Sequence, residues 1–296
     1  MITSNSLFSF MTLQEATYYV LNKLRIIYPD SEAGEMTDWV MEHLTGSKKA
    51  ERMIYKNAAI TQLEENRLLE ITEKLLQHEP LQYVLNEAWF CGLKFYVDQN
   101  VLIPRPETEE LVEWVISNCR FPVNDLRILD IGTGSGCIAI SLKRRLRKAE
   151  VWACDVSEDA LLVAKKNAEN LGTDVNFLPL NFLDSITWKH LPSFDIIVSN
   201  PPYIPESDKY SMNLNVLNHE PHTALFVPDN DPLVFYKEIA EFGKSHLIPN
   251  GNIYAEIHEN MGQSTINTFR KAGYDTELKK DLQQKDRMLK AVLIPK

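Results

Sequence analysis

The sequence predicts an α/β chain, with a doubly wound and mostly parallel sheet preceded by a small helical domain. Three observations carry this. From Arg127 onward, short β-branched-rich runs alternate with stretches of helical spacing. A glycine-rich loop, Gly132-Thr133-Gly134-Ser135-Gly136, separates the first of those runs from the helix after it. Residues 1–79, by contrast, show only helical periodicity.

In chain order, Thr12 followed by Glu15 reads as a capping box. Leu13, Ala16, Val20, Leu24 and Ile27 then recur at helical spacing until Pro29. Met36, Trp39, Val40 and Leu44 continue the pattern to Gly46, and a second box, Thr61 with Glu64, opens a helix through Leu68, Leu75 and Leu76. This bundle, 1–79, carries no evident nucleophile, metal cluster or glycine loop, so it is expected to hold a partner or shape one side of a cleft.

The pattern shifts at Glu79-Pro80. Trp89-Phe90-Cys91 and Leu93-Lys94-Phe95-Tyr96-Val97 around Gly92 suggest two short strands, with Val101-Leu102-Ile103 as a third, so 80–104 reads as a hairpin linker. Pro106 then starts a helix whose first turn is acidic, as the dipole favours. Arg105, held between two prolines, either faces a ligand or caps a carboxylate.

Residues 105–296 carry the sheet. Strands are expected at 127–131, 151–155, 175–177, 194–198 and 252–257, and an antiparallel pair at 274–278 and 288–294. Helices are expected from the glycine loop to about 146, over 160–171, 233–242 and 261–272. Pro201 to Pro232 lacks periodicity and is too long for a simple connection, which suggests a functional loop.

A net charge of -10 speaks against a nucleic-acid binder that works through a basic surface, and a basic macromolecular partner fits better. Lys143-Arg144-Arg145 falls at a helix end, where cations complement the dipole. Cys91, Cys119, Cys137 and Cys154 show no Cys-x-x-Cys spacing and read as reduced thiols. Leu7, Phe8, Phe10 and Met11 lack a basic leader and a long apolar core, and no stretch approaches a membrane span. The expectation is a cytoplasmic protein.

The chemistry concentrates at strand ends. Asp130-Ile131-Gly132-Thr133-Gly134-Ser135-Gly136 lets a backbone approach a ligand closely, and Asp155 ends the next strand, about 20 residues on, where a carboxylate can accept from ribose hydroxyls. Together they indicate a nucleoside-containing cofactor. Gly-x-Gly-x-Gly differs from the dinucleotide spacing Gly-x-Gly-x-x-Gly, which disfavours NAD but discriminates weakly. The third site follows Phe194-Asp195-Ile196-Ile197-Val198: Ser199-Asn200-Pro201-Pro202-Tyr203-Ile204 turns a buried strand into a rigid corner bearing an amide and an aromatic face. Taken alone, that corner also suits a structural turn.

A strand-end Asn200-Pro201-Pro202-Tyr203 after such a loop resembles the amino-methylating branch of the Class I methyltransferases. Joined to Ile103-Pro104-Arg105-Pro106-Glu107-Thr108-Glu109 and Glu79-Pro80-Leu81-Gln82-Tyr83, it makes the chain similar, from about Glu79 onward, to the HemK/PrmC-type peptide-chain release factor glutamine methyltransferases. The resemblance implies a Rossmann-like, mostly parallel seven-stranded sheet, the catalytic domain at 105–296 and substrate recognition by the helical domain. It implies S-adenosylmethionine as cofactor, with Gly132, Thr133, Gly134, Ser135 and Gly136 around its methionine part, Asp155 on its ribose, and Asn181 and Phe182 beside its adenine. Asn200, Pro201 and Tyr203 would be catalytic, and with Pro202 would bind the substrate glutamine; Asn200 would also adjoin the cofactor.

The implied partners are release factors, for a monomer that binds neither nucleic acid nor membrane directly. A ribosomal-protein glutamine and an exocyclic adenine amine are alternative acceptors. Departures from the family pattern are Asn181 for Asp, Asn86 for Gly, and Pro228 and Pro232 in a loop that is normally glycine-rich. No metal is implied: His219-Glu220-Pro221-His222 lacks metalloprotease spacing and reads as loop structure. Glu256, at a strand end, and Arg105 are candidates to line the pocket, though neither spacing nor composition assigns them a role.

Overall fold

The structure, a computed structural model, describes residues 10–119 and 126–294; Leu7 and Phe8 lie outside them. The chain divides into two compact units, Met1–Asn86 and Glu87–Lys296.

In the first unit, α1 (Leu13–Leu24) and α4 (Gln62–Leu76) open on the two capping boxes. The Thr12 and Thr61 hydroxyls accept from the N–H groups of Glu15 and Glu64, whose carboxylates accept in return from the threonine N–H groups at 2.8 and 2.7 Å. Ile27 falls beyond α1, and Pro29 serves instead as the N-cap of α2 (Asp30–Thr45), which closes on Gly46 in the left-handed region. α3 (Lys49–Ile54) is a short connector. Ala16, Val20, Leu24, Val40, Met41, Leu68 and Leu75 form the core of this bundle. α5 (Leu81–Leu85) occupies the start of the stretch 80–104, and ends on Asn86 at φ 54. Asparagine is among the few residues other than glycine that enter this region readily, which explains how Asn86 serves where the family pattern has glycine.

The second unit opens with a hairpin, β1 (Ala88–Phe90) antiparallel to β2 (Leu93–Phe95). Val101–Ile103 form no strand; the Ile103 N–H instead donates to Glu220. α6 (Pro106–Asn118) begins with its proline in the first turn. Then come β3 (Arg127–Ile131), α7 (Cys137–Arg145), β4 (Glu150–Asp155), α8 (Glu158–Asn170), β5 (Asn176–Pro179) and β6 (Phe194–Ser199). The long segment after β6 holds β7 (Ile204–Pro205) paired with β8 (Phe226–Val227), and α9 (Leu214–His219) between them. α10 (Val234–His246), β9 (Leu247–Glu256), α11 (Gly262–Lys271), β10 (Tyr274–Lys280) and β11 (Asp286–Leu293) complete the chain.

One sheet of seven strands has the order β10-β11-β9-β6-β3-β4-β5. The five strands β5, β4, β3, β6 and β9 run parallel, and β11 pairs antiparallel with both β9 and β10. The central strands are nearly continuous apolar runs because helices cover both faces. One apolar layer gathers Ile138 and Leu142 of α7 against Ile128 and Val198, and the other gathers Tyr236 and Phe242 of α10 against Ile197 and Ile253.

The register matters most for function. Ile131 pairs with Cys154 and with Ser199, and Ser199 pairs with Ala255. The next residue on each strand is Gly132, Asp155, Asn200 and Glu256, so these four stand in one row at the carboxyl edge. The order reverses at β3, so the crevice that such sheets use for ligands opens on this row. Among the described residues no helix is long and apolar enough to cross a membrane.

Candidate active site

Two cavities meet at that edge. The larger, about 380 Å³, runs from Gly132 and Gly134 past Asp155 to Asn181 and Phe182, and across to Asn200, Pro201 and Pro202. The smaller, about 210 Å³, is walled by Leu102, Arg105, Tyr203, Ile204 and Val216. Asn200 and Pro201 line both.

The glycine loop turns Gly132 and Gly134 toward the larger cavity and its other three residues away from it. Gly132 holds φ +71, and a Cβ built there meets nothing within 4 Å, because it would project into open space on the cavity wall. Thr133 and Ser135 are buried and stand off the wall. The Thr133 hydroxyl donates to Asp130 Oδ2 at 2.6 Å, and the Ser135 carbonyl accepts from Asn167 Nδ2 at 2.9 Å. Gly136, also off the wall, is where the loop packs on α8: its Cβ would lie 3.2 Å from that of Ala164. The structure therefore brings Gly132 and Gly134 to the ligand space and leaves Thr133, Ser135 and Gly136 as its support.

Asp155 is fixed from two sides, since Oδ2 accepts from Gly134 N–H and Oδ1 from Ser157 N–H, both at 2.9 Å. Each oxygen keeps a lone pair for a further donor. Burial raises the Asp155 pKa, and the backbone bonds oppose that. Asn181 lies at the rim, where its Oδ1 accepts from Leu183 N–H at 3.2 Å. Phe182 is anchored beneath by Trp188 and Phe242. A glycine-walled trough, a carboxylate with free lone pairs and an apolar slot fit the methionine, ribose and adenine parts of S-adenosylmethionine in turn.

Around the smaller cavity, Asn200 Nδ2 donates to Thr108 Oγ1 at 3.0 Å, and Thr108 Oγ1 donates to Glu256 Oε2 at 2.6 Å. The Tyr203 hydroxyl donates to Glu256 Oε1 at 3.0 Å. Burial pushes the Tyr203 phenol well above its ordinary value, and the adjacent Glu256 charge adds to this. Burial also raises the Glu256 pKa, opposed by the Thr108 and Tyr203 hydroxyls and by the charge of Arg287. Arg105 takes the second of its two sequence readings: it pairs with the buried Glu220 at 2.5 Å, while still presenting part of itself to the cavity. Glu220 also accepts from the Ile103 N–H at 3.2 Å, so the His219–His222 stretch is tied to the segment 103–105 before α6 through its carboxylate.

Thr108 joins the site without a sequence signal of its own, and Glu256, a candidate for the pocket lining, stands instead behind Asn200, off the wall of both cavities. Thr108 stood within a quoted motif, but nothing there distinguished it from its acidic neighbours. Glu256 stood at a strand end, and only the β6–β9 register puts it beside Asn200.

Two family models match the chain: the PrmC N-terminal domain over residues 20–85, and the methyltransferase small domain over residues 111–223. A release factor glutamine methyltransferase of Bacteroides thetaiotaomicron is 41% identical over 94% of this chain and 99% of that protein. One of Flavobacterium psychrophilum is 49% identical over 73% of this chain and 76% of that protein. Among solved structures, a methyltransferase from Pyrococcus furiosus superposes with a TM-score of 0.50 at 18% identity, covering 78% of this chain and 98% of that one, a likeness of fold alone. The seven-stranded sheet with its glycine-walled, carboxylate-flanked edge is thus a Class I S-adenosylmethionine-dependent methyltransferase fold, and its match over nearly the whole length of curated relatives places this chain in the release factor glutamine methyltransferase family.

Proposed function

We propose that this protein transfers a methyl group from S-adenosylmethionine to the side-chain amide nitrogen of the glutamine in the Gly-Gly-Gln motif of peptide-chain release factors, as a cytoplasmic monomer. The observation that carries the reading is the meeting of two cavities at Asn200 and Pro201. One is chemically suited to the donor, and the other is a narrow, largely apolar slot suited to a side chain from another protein.

A glutamine amide is a poor nucleophile because its nitrogen lone pair is delocalised into the carbonyl, the resonance that also flattens a peptide bond. When bound, S-adenosylmethionine supplies an electrophilic methyl group on a sulfonium. The Asn200 Oδ1 and the Pro201 carbonyl each accept one amide hydrogen, which fixes the nitrogen and stabilises the positive charge that grows on it. Pro201 suits this part because its ring restricts the backbone that carries the acceptor. Leu102, Ile204 and Val216 keep water from the slot, and Tyr203 packs on the amide plane. The alkylated nitrogen holds an acidic surplus proton that leaves to water, so no side-chain base is demanded. On the donor side, Asp155 accepts from the ribose hydroxyls, Gly132 and Gly134 admit the methionine part, and Phe182 supports the adenine beside Asn181.

The test offers labelled S-adenosylmethionine with separate pools of release factor, ribosomal protein and DNA, followed by mapping of the labelled residue. Label on the Gly-Gly-Gln glutamine is expected. Label in DNA or ribosomal protein, with none on the release factor, overturns the proposal.

A further inference from the structure

We infer that Thr108 and Glu256 are positioning residues: together they decide which end of the Asn200 amide faces the acceptor cavity, and the Glu256 carboxylate strengthens that end as an acceptor. The inference rests on the part proposed above for Asn200. An asparagine amide has two faces of nearly equal shape and opposite hydrogen-bonding character. If Nδ2 faced the cavity, it would meet the N–H groups of a substrate amide, donor against donor. Something must forbid that orientation.

The forbidding element is a chain of committed protons. Glu256 Oε2 receives the single hydroxyl proton of Thr108 across 2.6 Å, so the carboxylate is the acceptor in this pair. Thr108 Oγ1 then has only lone pairs left for Asn200, and only the Nδ2 end can answer, which it does at 3.0 Å. Oδ1 is left at the other end, and among the described residues it has no partner. The second Glu256 oxygen is taken by the Tyr203 hydroxyl, which with Thr108 holds the carboxylate from both sides, and the Glu256 main-chain carbonyl accepts from the Tyr236 hydroxyl. Glu256 and Thr108 are only 1% and 2% exposed, which keeps water from offering a substitute proton. Hydrogen bonds in series polarise one another, more strongly where one end is charged and the surroundings are dry. The Glu256 charge therefore draws the Asn200 amide protons inward and leaves Oδ1 more negative, at the atom that must meet a nitrogen gaining positive charge.

Two substitutions at one position separate this role from packing. Thr108→Val keeps the shape and removes the hydroxyl; Thr108→Ser keeps the hydroxyl. The readouts are the ¹⁵N-edited NMR signal and proton-exchange rate of the Asn200 side-chain amide, assigned by its loss in Asn200→Asp, and kcat on a release factor alongside S-adenosylmethionine affinity. In Thr108→Val, the Asn200 amide protons are expected to exchange faster, and kcat to fall roughly 10–100-fold, short of the 10²–10³ typical of deleting a preorganised contact. Cofactor affinity should stay within about threefold, and Thr108→Ser should restore both amide signal and turnover. Glu256→Gln, which keeps size and removes charge, should lower kcat roughly tenfold. An unchanged Asn200 amide and near-normal kcat in Thr108→Val, or a Thr108→Ser as impaired as the valine variant, overturns the inference. A wild-type enzyme inactive on release factors, with the Asn200 amide still released by Thr108→Val, refutes the proposed substrate and leaves the positioning role standing.

Discussion

Substituting alanine at Gly136 and at Gly132 should damage the protein in two different ways. At Gly136, φ is +80, and the new Cβ meets Ile140 Cδ1 at 3.0 Å and Ala164 Cβ at 3.2 Å. The Ile140 tip can shift, whereas the Ala164 methyl is fixed to the backbone of α8. Left-handed strain of about 1–2 kcal/mol and overpacking of about 1–3 kcal/mol sum to about 2–5 kcal/mol. At about 2–4 °C per kcal/mol for a domain of this size, the melting temperature should fall by about 4–20 °C. At Gly132, φ is +71 and no atom lies within 4 Å, so only the strain applies and the fall should be about 2–8 °C. The methyl group there instead enters the donor cavity. Thermal unfolding followed by circular dichroism without cofactor, and calorimetric titration with S-adenosylmethionine, read the two effects separately. Gly136→Ala should bind the cofactor at temperatures where it is folded, and Gly132→Ala should bind it poorly while remaining folded. Equal melting losses in the two variants, or lost binding in Gly136→Ala at an unchanged melting temperature, would refute the division of the loop into wall and support.

Two further outcomes follow from buried carboxylates. Arg105→Ala leaves the buried Glu220 with the Ile103 N–H alone, and breaking such a pair costs about 3–5 kcal/mol, here nearer 3 because Arg105 is partly exposed; hydrogen exchange should quicken across 214–228, and unchanged protection there would contradict the anchoring role. Asp130 is fully buried with Oδ1 unpartnered, and burial raises its pKa to about 7. The folded state therefore holds a proton that the unfolded chain releases near pH 4, so the contribution of this group to stability is fully present below about pH 4 and is lost as pH rises through about 7. The difference is about 4 kcal/mol at most. Asp130→Asn should flatten that slope in denaturant titrations run across the same pH range, and a slope identical to wild type would remove Asp130 as its source.

What was legible in the sequence was local. Gly132, Asp155 and Asn200 could be placed at strand ends because each follows an apolar run that stops at a recognisable breaker. Both capping boxes could be read because their partners lie three residues apart. What was illegible depends on distance along the chain or on short elements. Glu256 meets Thr108 across 148 residues, and Arg105 finds Glu220 across 115, so no spacing rule could pair them. Val101–Ile103 has strand composition, yet the chain there is held by a side chain rather than a neighbouring strand. The stretch from Pro201 to Pro232 seemed featureless because α9, β7 and β8 are each too short to display a period. The resemblance implies Thr133 and Ser135 around the cofactor, and how the loop presents them depends on Asp130 and Asn167 behind it, which no spacing within the motif announces.

The strand order also sets how much of the sheet each part of the site draws on. Gly132 and Asp155 belong to neighbouring strands joined by one crossover, whereas the same cavity takes Phe182 from beyond β5 and Asn200 from the end of β6. Asn200 meets Thr108 of α6, and Thr108 is held in turn by Glu256 from β9, whose far side is covered by β11 lying between it and β10. The donor cavity is therefore closed only by the end of β6, and the chain of hydrogen bonds behind Asn200 is completed one strand further out, by β9.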